Sequence, residues 1–283
     1  MITTLDELPT AKEIMSHIPE NAKKKAAQNT GISSKDYAQR QIDIMNAIQG
    51  NLTGYDCPKC KNKGIIYYLK DGYEMSRECD CMKIRRSYWN IEKSGLKSLL
   101  SKYTFENFNA VEPWQQNLKK DAQKFLTDHK GKWFYAGGQV GAGKTHICTA
   151  IVGEFLKQGI ESRYMLWRDE VVKLKACVND DYEYGRLINP LKIVSALYID
   201  DFFKTANDEY GNKKPPTHGD INVAFELLNY RYNDDKLITI ISSERTVDEL
   251  LSCDEAVGSR VYQRTKDYCW VIGKDIKKNY RLR

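Results

Sequence analysis

The chain has 283 residues and carries 44 lysines and arginines against 38 aspartates and glutamates, a formal net charge of +6. With 41% apolar and 29% charged residues, it has enough apolar material for a packed core and too little bias for a disordered chain. Its apolar runs are far shorter than the roughly 20 residues of a membrane-spanning helix, and no apolar signal core follows Met1. We therefore expect a protein that is neither inserted into a membrane nor secreted.

The first 50 residues show helical spacing and no catalytic pattern. Thr10 and Glu13 have the spacing of a helix capping box. A further helix is predicted over residues 35–49, where apolar residues such as Ile44 and Ile48 recur at helical intervals. This apolar stripe packs either on neighbouring segments of the chain or on a partner protein.

Four of the eight cysteines form two close pairs, Cys57 with Cys60 and Cys79 with Cys81. Without a secretory signal we expect a reducing compartment, in which disulfides are rare. Four thiolates in two tight pairs are the ligand set of a closed tetrahedral Zn²⁺ site. The alternative is a set of reduced thiols without a metal.

The stretch between the cysteine pairs has the pattern of a β-hairpin. An apolar run over residues 64–69 leads to Asp71-Gly72, a dipeptide typical of two-residue hairpin turns, as a zinc ribbon would contain. We assign residues 1–82 to a small helical and zinc-ribbon-like N-terminal domain.

The positive charge is concentrated in a short neck at residues 83–105 and in the last ten residues. In the neck, basic residues such as Lys83, Arg85 and Arg86 alternate with aromatic and leucine side chains. Such a run forms either a solvated charged face or a surface for a nucleic-acid backbone or an acidic partner. We assign it to a basic linker that contains two helices separated near Gly95.

Strand-like and helical segments alternate over residues 106–283, which we assign to one domain. The predicted strands are Lys132–Ala136, Ser162–Trp167, Ala196–Ile199, Leu237–Ser242 and Tyr268–Ile272, and the main predicted helices are Thr145–Gln158 and Ile221–Asn233. Buried strands joined by crossover helices predict an α/β fold with a three-layer parallel sheet.

A phosphate-binding loop follows the first of these strands. The pattern G-x4-G-K-[ST], the Walker A motif, lies between a strand and a helix, where backbone N–H groups and the helix N-terminus bind phosphate. Lys144 would reach the β- and γ-phosphates of ATP, and the Thr145 hydroxyl would bind Mg²⁺. The predicted nucleotide-binding residues are Gly138, Gln139, Val140, Gly141, Ala142, Gly143, Lys144, Thr145 and His146.

Two acids end the third strand of this domain. In such a position Asp200 would bind Mg²⁺, while Asp201 would orient or deprotonate the attacking water, as in a Walker B motif. The fourth strand ends in Ser242-Ser243, where Ser243 either senses the γ-phosphate or merely forms a turn. Arg260 lies in a later predicted helix and serves either as an arginine finger for a neighbouring subunit or as a surface ion-pair partner.

Together these motifs resemble the AAA+ bacterial replicative-helicase loaders of the DnaC/DnaI type, including phage-encoded versions. The resemblance covers roughly residues 95–283, and an N-terminal zinc module resembles the DnaI branch. It implies an AAA+ P-loop ATPase that self-associates through its ATPase domain, binds the hexameric replicative DNA helicase through residues 1–82 and delivers it onto ssDNA in a bacterial cytoplasm. By the same resemblance Arg260 matches the trans-acting finger and Ser243 the sensor position, where Asn is more usual.

Other positions depart from the family or leave alternatives open. Eleven residues follow Ile272, so we expect no full lid domain, and Arg281 is the candidate to replace a lid arginine. Residues 168–193 correspond to an extra helical stretch, and a polar loop at residues 205–219 is expected to be mobile along a DNA path. The competing interpretations are the ATPase subunit of a transposition system, which binds double-stranded DNA, and a zinc-containing adaptor that binds ATP without hydrolysing it.

Overall fold

The structure, a computed structural model, describes residues 34–93 and 97–282. The predicted capping box at Thr10 and Glu13 and the predicted break at Gly95 lie outside the described residues. The chain divides into two compact units, Met1–Met82 and Lys83–Arg283. Within the described residues, every helix is too short or too polar to cross a membrane.

In its described part, residues 34–82, the first unit contains one helix and the predicted hairpin. Helix α1 spans Ser34–Ala47, and strands β1 (Ile65–Lys70) and β2 (Tyr73–Glu78) pair antiparallel. Asp71 and Gly72 form the turn with φ of 54° and 83°, since a right-twisted two-residue hairpin needs positive φ at both central positions.

Helix α1 is joined to the hairpin by an asparagine side chain. The Asn46 amide donates to the Tyr67 carbonyl at 2.8 Å and accepts from the Tyr67 N–H at 3.0 Å. Ile42 is the buried apolar residue of this helix, whereas Ile44 and Ile48 are exposed. The stripe predicted from helical spacing therefore does not pack on the rest of the unit at those two positions.

From the second cysteine pair onward, helices and strands alternate. In chain order they are α2 (Cys81–Lys93), α3 (Lys97–Lys102), α4 (Pro113–Phe125), β3 (Phe134–Gly138), α5 (Lys144–Lys157), β4 (Ser162–Leu166), α6 (Trp167–Ala176), α7 (Asp181–Ile193), β5 (Ala196–Asp200), α8 (His218–Tyr232), β6 (Ile238–Ser242), α9 (Val247–Cys253), α10 (Glu255–Thr265) and β7 (Cys269–Ile272). Two 3-10 turns, Ile276–Lys278 and Tyr280–Leu282, follow β7.

The five strands of the second unit form one parallel sheet in the order β4-β5-β6-β3-β7. Side chains of alternating strand residues enter two apolar cores, so that Tyr198 packs on one face and Leu197 and Ile199 pack on the other. The predicted α/β fold with a three-layer parallel sheet is confirmed.

Strand β3 lies between β6 and β7 and ends two residues later than its apolar pattern predicts. Gly137 and Gly138 extend its pairing with β7, opposite Val271 and Ile272. A Cβ on Gly138 would lie 2.1 Å from the Ile272 carbonyl oxygen, so this close backbone approach requires glycine. The first turn of the phosphate loop is thereby built into the sheet.

The described residues of the neck form helices that belong to the second unit. Ile84 and Ile91 of α2 are buried, and the Ser87 hydroxyl accepts a hydrogen bond from the Ser162 N–H at 3.0 Å at the start of β4. This segment thus contributes to the core that covers one edge of the sheet.

A buried arginine connects α8 to the end of α7 and to strand β6. Arg231 is fully buried, and its Nη1 donates to the carbonyls of Leu191, Lys192 and Val194 at 2.9–3.0 Å. Its Nε donates to the Thr239 hydroxyl, and burial lowers its pKa to about 9. These bonds satisfy carbonyls at the carboxyl end of α7 that no helical N–H reaches.

The loop predicted at residues 205–219 is bound by Arg245 at its first residue and at Lys214. The buried guanidinium of Arg245 donates to the Thr205 hydroxyl at 3.0 Å and to the Lys214 carbonyl at 2.5 Å. The last residues of the predicted loop already belong to α8, because a capping box formed by Thr217 and Asp220 starts that helix at His218.

Candidate functional site

The phosphate loop connects β3 to α5 with three left-handed glycines. Gly138, Gly141 and Gly143 have φ of 97°, 74° and 85°, and Gly143 is the N-cap of α5. Such a backbone turns successive N–H groups towards one point at the positive end of a helix, which is the geometry of an anion-binding site.

Lys144 folds back over this loop. Its ammonium donates to the carbonyls of Gly138 at 3.0 Å and Gln139 at 2.7 Å. Burial lowers the pKa of Lys144 to about 8, against the opposing pull of nearby carboxylates such as Glu244 and Asp201. A phosphate bound in the loop would supply negative charge to this buried cation and favour its protonated form.

Asp200 ends β5 and faces Thr145 across the sheet edge. The Thr145 hydroxyl lies 3.3 Å from Asp200 Oδ1, and the Tyr164 hydroxyl donates to Asp200 Oδ2 at 3.1 Å. The Ser242 hydroxyl also donates to Asp200. A carboxylate and a hydroxyl side by side are oxygen ligands of the kind that Mg²⁺ takes, and their spacing fits a shared cation.

Asp201, the next residue, begins a turn with an unusual backbone. Its φ is 54°, and its carboxylate forms an ion pair with Lys204 at 2.9 Å. The same ammonium pairs with Glu244 at 2.9 Å. Two carboxylates therefore share one cation beside the phosphate loop.

These groups line one cavity of about 480 Å³ at the carboxyl edge of the sheet. Of the residues predicted from the sequence, it is lined by Val140, Gly141, Ala142, Gly143, Lys144, Thr145, His146, Asp200 and Asp201. Gly138, Gln139, Ser243 and Arg260 do not line it. Lys204, Glu244, Tyr280 and Arg281 do, although only the last was considered from the sequence.

His146 lines the cavity and packs against two aromatic side chains. Its ring stacks on Tyr103 with centroids 4.7 Å apart and meets the edge of Phe108 at 5.1 Å. Its Nε2 lies 2.8 Å from the Thr104 carbonyl, and burial lowers its pKa, so the neutral ring donates this bond. Asn107, which precedes Phe108 in the chain, also lines the cavity.

The segment after β7 contacts the opposite side of the phosphate loop. The Tyr280 N–H donates to the Gly141 carbonyl at 3.0 Å, and the Asp275 N–H donates to the Gln139 side chain at 3.1 Å. The φ of 74° at Gly141 favours glycine, and a Cβ there would also lie 1.9 Å from Asn279 Oδ1 and displace that side chain. No local sequence signal points to this contact.

The two serines that end β6 have different surroundings from those predicted. The Ser243 hydroxyl donates to the Phe202 carbonyl at 2.7 Å and accepts from the Arg245 N–H at 3.0 Å. Ser243 does not line the cavity, and its role as a sensor of the γ-phosphate stays a prediction. Ser242 contacts Asp200, and Glu244 is the residue of this strand end that lines the cavity.

Arg260 lies on α10 and contacts α8 instead of the cavity of its own chain. Its Nε donates to Asn229 Oδ1 at 3.0 Å and its Nη1 to the Ala256 carbonyl at 2.8 Å. The guanidinium lies 4.8 Å from the ring centroid of Phe225, within cation–π distance. These contacts hold the side chain in one orientation on a partly exposed surface.

The four predicted metal ligands converge in the first unit. All four cysteines are buried, and their Sγ atoms lie within 4.8 Å of one another. The Sγ atoms of Cys57 and Cys79 are 3.8 Å apart, and those of Cys60 and Cys81 are 3.5 Å apart. A tetrahedron with zinc–sulfur bonds of 2.3 Å has edges of about 3.8 Å, so these sulfurs fit Zn²⁺.

The surroundings of this cluster favour a thiolate at one position. Although burial raises the pKa of Cys60, hydrogen bonds from the Gly64 N–H and the other thiols bring it down to about 7. Gly64 has φ of 80° and donates to Cys60 Sγ at 3.3 Å. A backbone N–H aimed at a ligand sulfur is a common second contact in metal sites.

Two curated proteins of Bacillus subtilis (strain 168) are similar to most of the chain. It is 27% identical to the uncharacterized protein YqaM over 301 aligned positions, which cover 88% of this chain and 92% of YqaM. It is 29% identical to the phage-like element PBSX protein XkdC over 245 positions, which cover 83% of this chain and 89% of XkdC. No family model matches the chain.

Among solved structures, the crystal structure of DnaI superposes on the chain with a TM-score of 0.50 at 19% identity. The superposition covers 62% of this chain and 93% of DnaI. This likeness shows a shared fold, and it agrees with the AAA+ architecture predicted from the motifs.

We predict that the cysteine cluster binds about one zinc ion per chain. In Cys60→Ser the remaining three sulfurs cannot complete the tetrahedron, so metal analysis should find almost no zinc and thermal unfolding of the first unit should begin at a lower temperature. Cys177→Ser, which changes a partly exposed cysteine of the second unit, is the matched control and should keep its zinc. Full zinc content in Cys60→Ser would contradict the assignment.

Proposed function

We propose that the chain is an ATP-dependent loader of the replicative DNA helicase. The observation that carries the proposal is one cavity in which a phosphate loop, the pair of Thr145 and Asp200, and a second carboxylate on Asp201 lie together. A site with a phosphate loop, a cation-binding pair and a candidate base has the parts that nucleotide hydrolysis needs.

In the proposed reaction, the loop and Lys144 bind the β- and γ-phosphates of ATP. Mg²⁺, when bound by Thr145 and Asp200, would neutralise charge on the phosphate oxygens. Asp201 orients a water and accepts its proton as the water oxygen bonds to the γ-phosphorus and the bond to the bridging oxygen breaks. The products are ADP, which keeps the bridging oxygen, and inorganic phosphate.

The helicase and ssDNA as partners are supported by the resemblance to DnaC/DnaI loaders and by the fold shared with DnaI. In this proposal residues 1–82, with their zinc-binding cluster, bind the helicase. Residues 106–283 form the ATPase domain, and the basic residues 83–105 connect the two.

The position of Arg260 supports the proposal of self-association. Its guanidinium is held by Asn229 and Ala256 on a surface that does not line the cavity of its own chain. An arginine that acts on ATP from that surface must reach the cavity of a neighbouring copy. We therefore propose assembly through the ATPase domain, with Arg260 completing the neighbour's site.

ATP hydrolysis is tested with two variants of the cavity. Lys144→Ala should lose nucleotide binding because it removes the buried cation that contacts the phosphates. Asp201→Asn should bind ATP but hydrolyse it roughly 10²–10⁴-fold more slowly, which is the usual loss on removal of a general base. Asp248→Asn, on α9 outside the cavity, is the control. Turnover at the wild-type rate in Lys144→Ala would refute the site.

If Arg260 is an arginine finger, Arg260→Ala should lose ATP turnover, and mixing it with a second variant should restore part of that turnover. Arg260→Ala should bind ATP normally but hydrolyse it about 10³-fold more slowly, since a finger stabilises only the transition state. Mixing it with Lys144→Ala should restore part of the turnover, because Lys144→Ala supplies an intact Arg260 to an intact neighbouring site. Full turnover of Arg260→Ala alone at every protein concentration would remove the finger role.

The partner assignment is tested by co-purification with the replicative helicase of the producing cell, together with binding to single- and double-stranded DNA. We expect the full-length chain to retain the helicase and to prefer ssDNA, and the Cys60→Ser variant to lose the helicase. A chain that binds only double-stranded DNA and no helicase would support the transposition alternative instead.

A further inference from the structure

We propose that Lys204 is a further catalytic residue, whose ammonium binds the γ-phosphate of ATP and thereby releases Asp201 to act on the attacking water. The inference rests on the proposed function, because it takes the substrate of the cavity to be ATP. Neither the phosphate-loop motif nor the acidic pair Asp200 and Asp201 includes this lysine.

The first observation is the position of the ammonium. Lys204 Nζ lies 2.9 Å from Asp201 Oδ2 and 2.9 Å from Glu244 Oε1. All three residues line the cavity that contains the phosphate loop. The Lys204 side chain is about one-third exposed, so its cation is accessible from the cavity and is not sealed in the core.

The second observation is the strained turn that places the lysine there. Asp201 and Phe203 have φ of 54° and 53°, although a bulky aromatic residue rarely adopts left-handed backbone. The Lys204 N–H donates to the Asp201 carbonyl at 3.0 Å, which closes the turn. Strain of this kind persists where the surroundings enforce it, and it is concentrated at functional sites.

The surroundings do enforce this turn. The rings of Phe202 and Phe203 stack with centroids 4.2 Å apart, both are buried, and both make T-shaped contacts with Trp167. The Phe202 carbonyl accepts from Ser243 and the Phe203 carbonyl from Arg245. The aromatic core and these two bonds therefore fix the backbone between the carboxylate and the ammonium.

The third observation is the balance of charge. One ammonium serves two carboxylates, so neither Asp201 nor Glu244 has the cation to itself. The γ-phosphate is a third and more highly charged anion, which competes with Asp201 for the same ammonium. Glu244, which remains paired, keeps the ammonium at the cavity wall during this exchange.

The exchange gives Lys204 two effects on hydrolysis. Asp201, once released from its ion pair, accepts the proton of the water that attacks the γ-phosphorus. Lys204 stays protonated, and its charge stabilises the phosphoryl oxygens as the bond to the bridging oxygen breaks. ADP has no γ-phosphate, so it leaves the Lys204–Asp201 pair intact, and the lysine distinguishes the two nucleotides.

The test compares Lys204→Ala and Lys204→Arg with Lys214→Ala in the full-length chain. Lys214 belongs to the loop that follows, its side chain is exposed, and it makes no side-chain hydrogen bond among the described residues. The measurements are kcat and KM for ATP, and equilibrium binding of fluorescent ADP and of a fluorescent, non-hydrolysable ATP analogue. Unchanged ADP binding also shows that each variant is folded.

We expect Lys204→Ala to lower kcat about 100-fold, the usual effect of removing one donor to a transition-state oxyanion. It should bind the ATP analogue several-fold more weakly and ADP as tightly as the wild type. Lys204→Arg should recover part of both losses because it keeps the charge, and Lys214→Ala should behave as the wild type.

Two results would overturn the inference: an unchanged preference for the ATP analogue over ADP in Lys204→Ala, or a higher kcat, which would make the lysine only a restraint on Asp201. If the wild type binds nucleotide without hydrolysing it, the binding comparison alone decides the role of Lys204 while the hydrolysis proposal fails. If the wild type binds neither nucleotide, both proposals fail together.

Discussion

The cavity beside the phosphate loop depends on the backbone pairing of β3 with the strands on either side of it. The Gly138 N–H donates to the Ser243 carbonyl at 3.2 Å, and the Gln139 N–H donates to the Ile272 carbonyl at 2.9 Å. These bonds continue the sheet into the first turn of the phosphate loop, and only glycine permits the approach to Ile272. The loop is therefore rigid at its start, and its distance from the acids on β5 is set by the width of one intervening strand.

The parts of the site that the sequence predicts are those in which a local backbone conformation or a local ligand set demands particular residues. Glycines at left-handed positions, a lysine and hydroxyl at a helix start, and two cysteine pairs each carry their function within a few residues. The alternation of strands and helices predicts a parallel sheet with crossover helices, whereas the order β4-β5-β6-β3-β7 of its strands is known from the structure alone. For these reasons the fold class, the phosphate loop and the cysteine cluster follow from the sequence.

The parts that sequence reasoning missed depend on partners far apart in the chain. Arginines are charged and usually lie at the surface. Arg231 and Arg245 are nevertheless buried, because backbone carbonyls from other segments accept hydrogen bonds from their guanidinium groups. Glu244 lines the cavity and Ser243 does not. Which of these two residues faces the cavity depends on the path of the chain after β6, and local propensity does not determine that path. Lys204 acquires its position from a strained turn that no motif describes.

The contact between Tyr280 and Gly141 has a consequence for biosynthesis. It joins the phosphate loop to residues that a ribosome adds 139 positions later, and β7, which completes the sheet beside β3, is also synthesised late. Contacts of such sequence separation form only after most of the chain is available. A nascent chain that has emerged only as far as β6 thus has a phosphate loop that lacks both its contact with Tyr280 and the neighbouring strand β7.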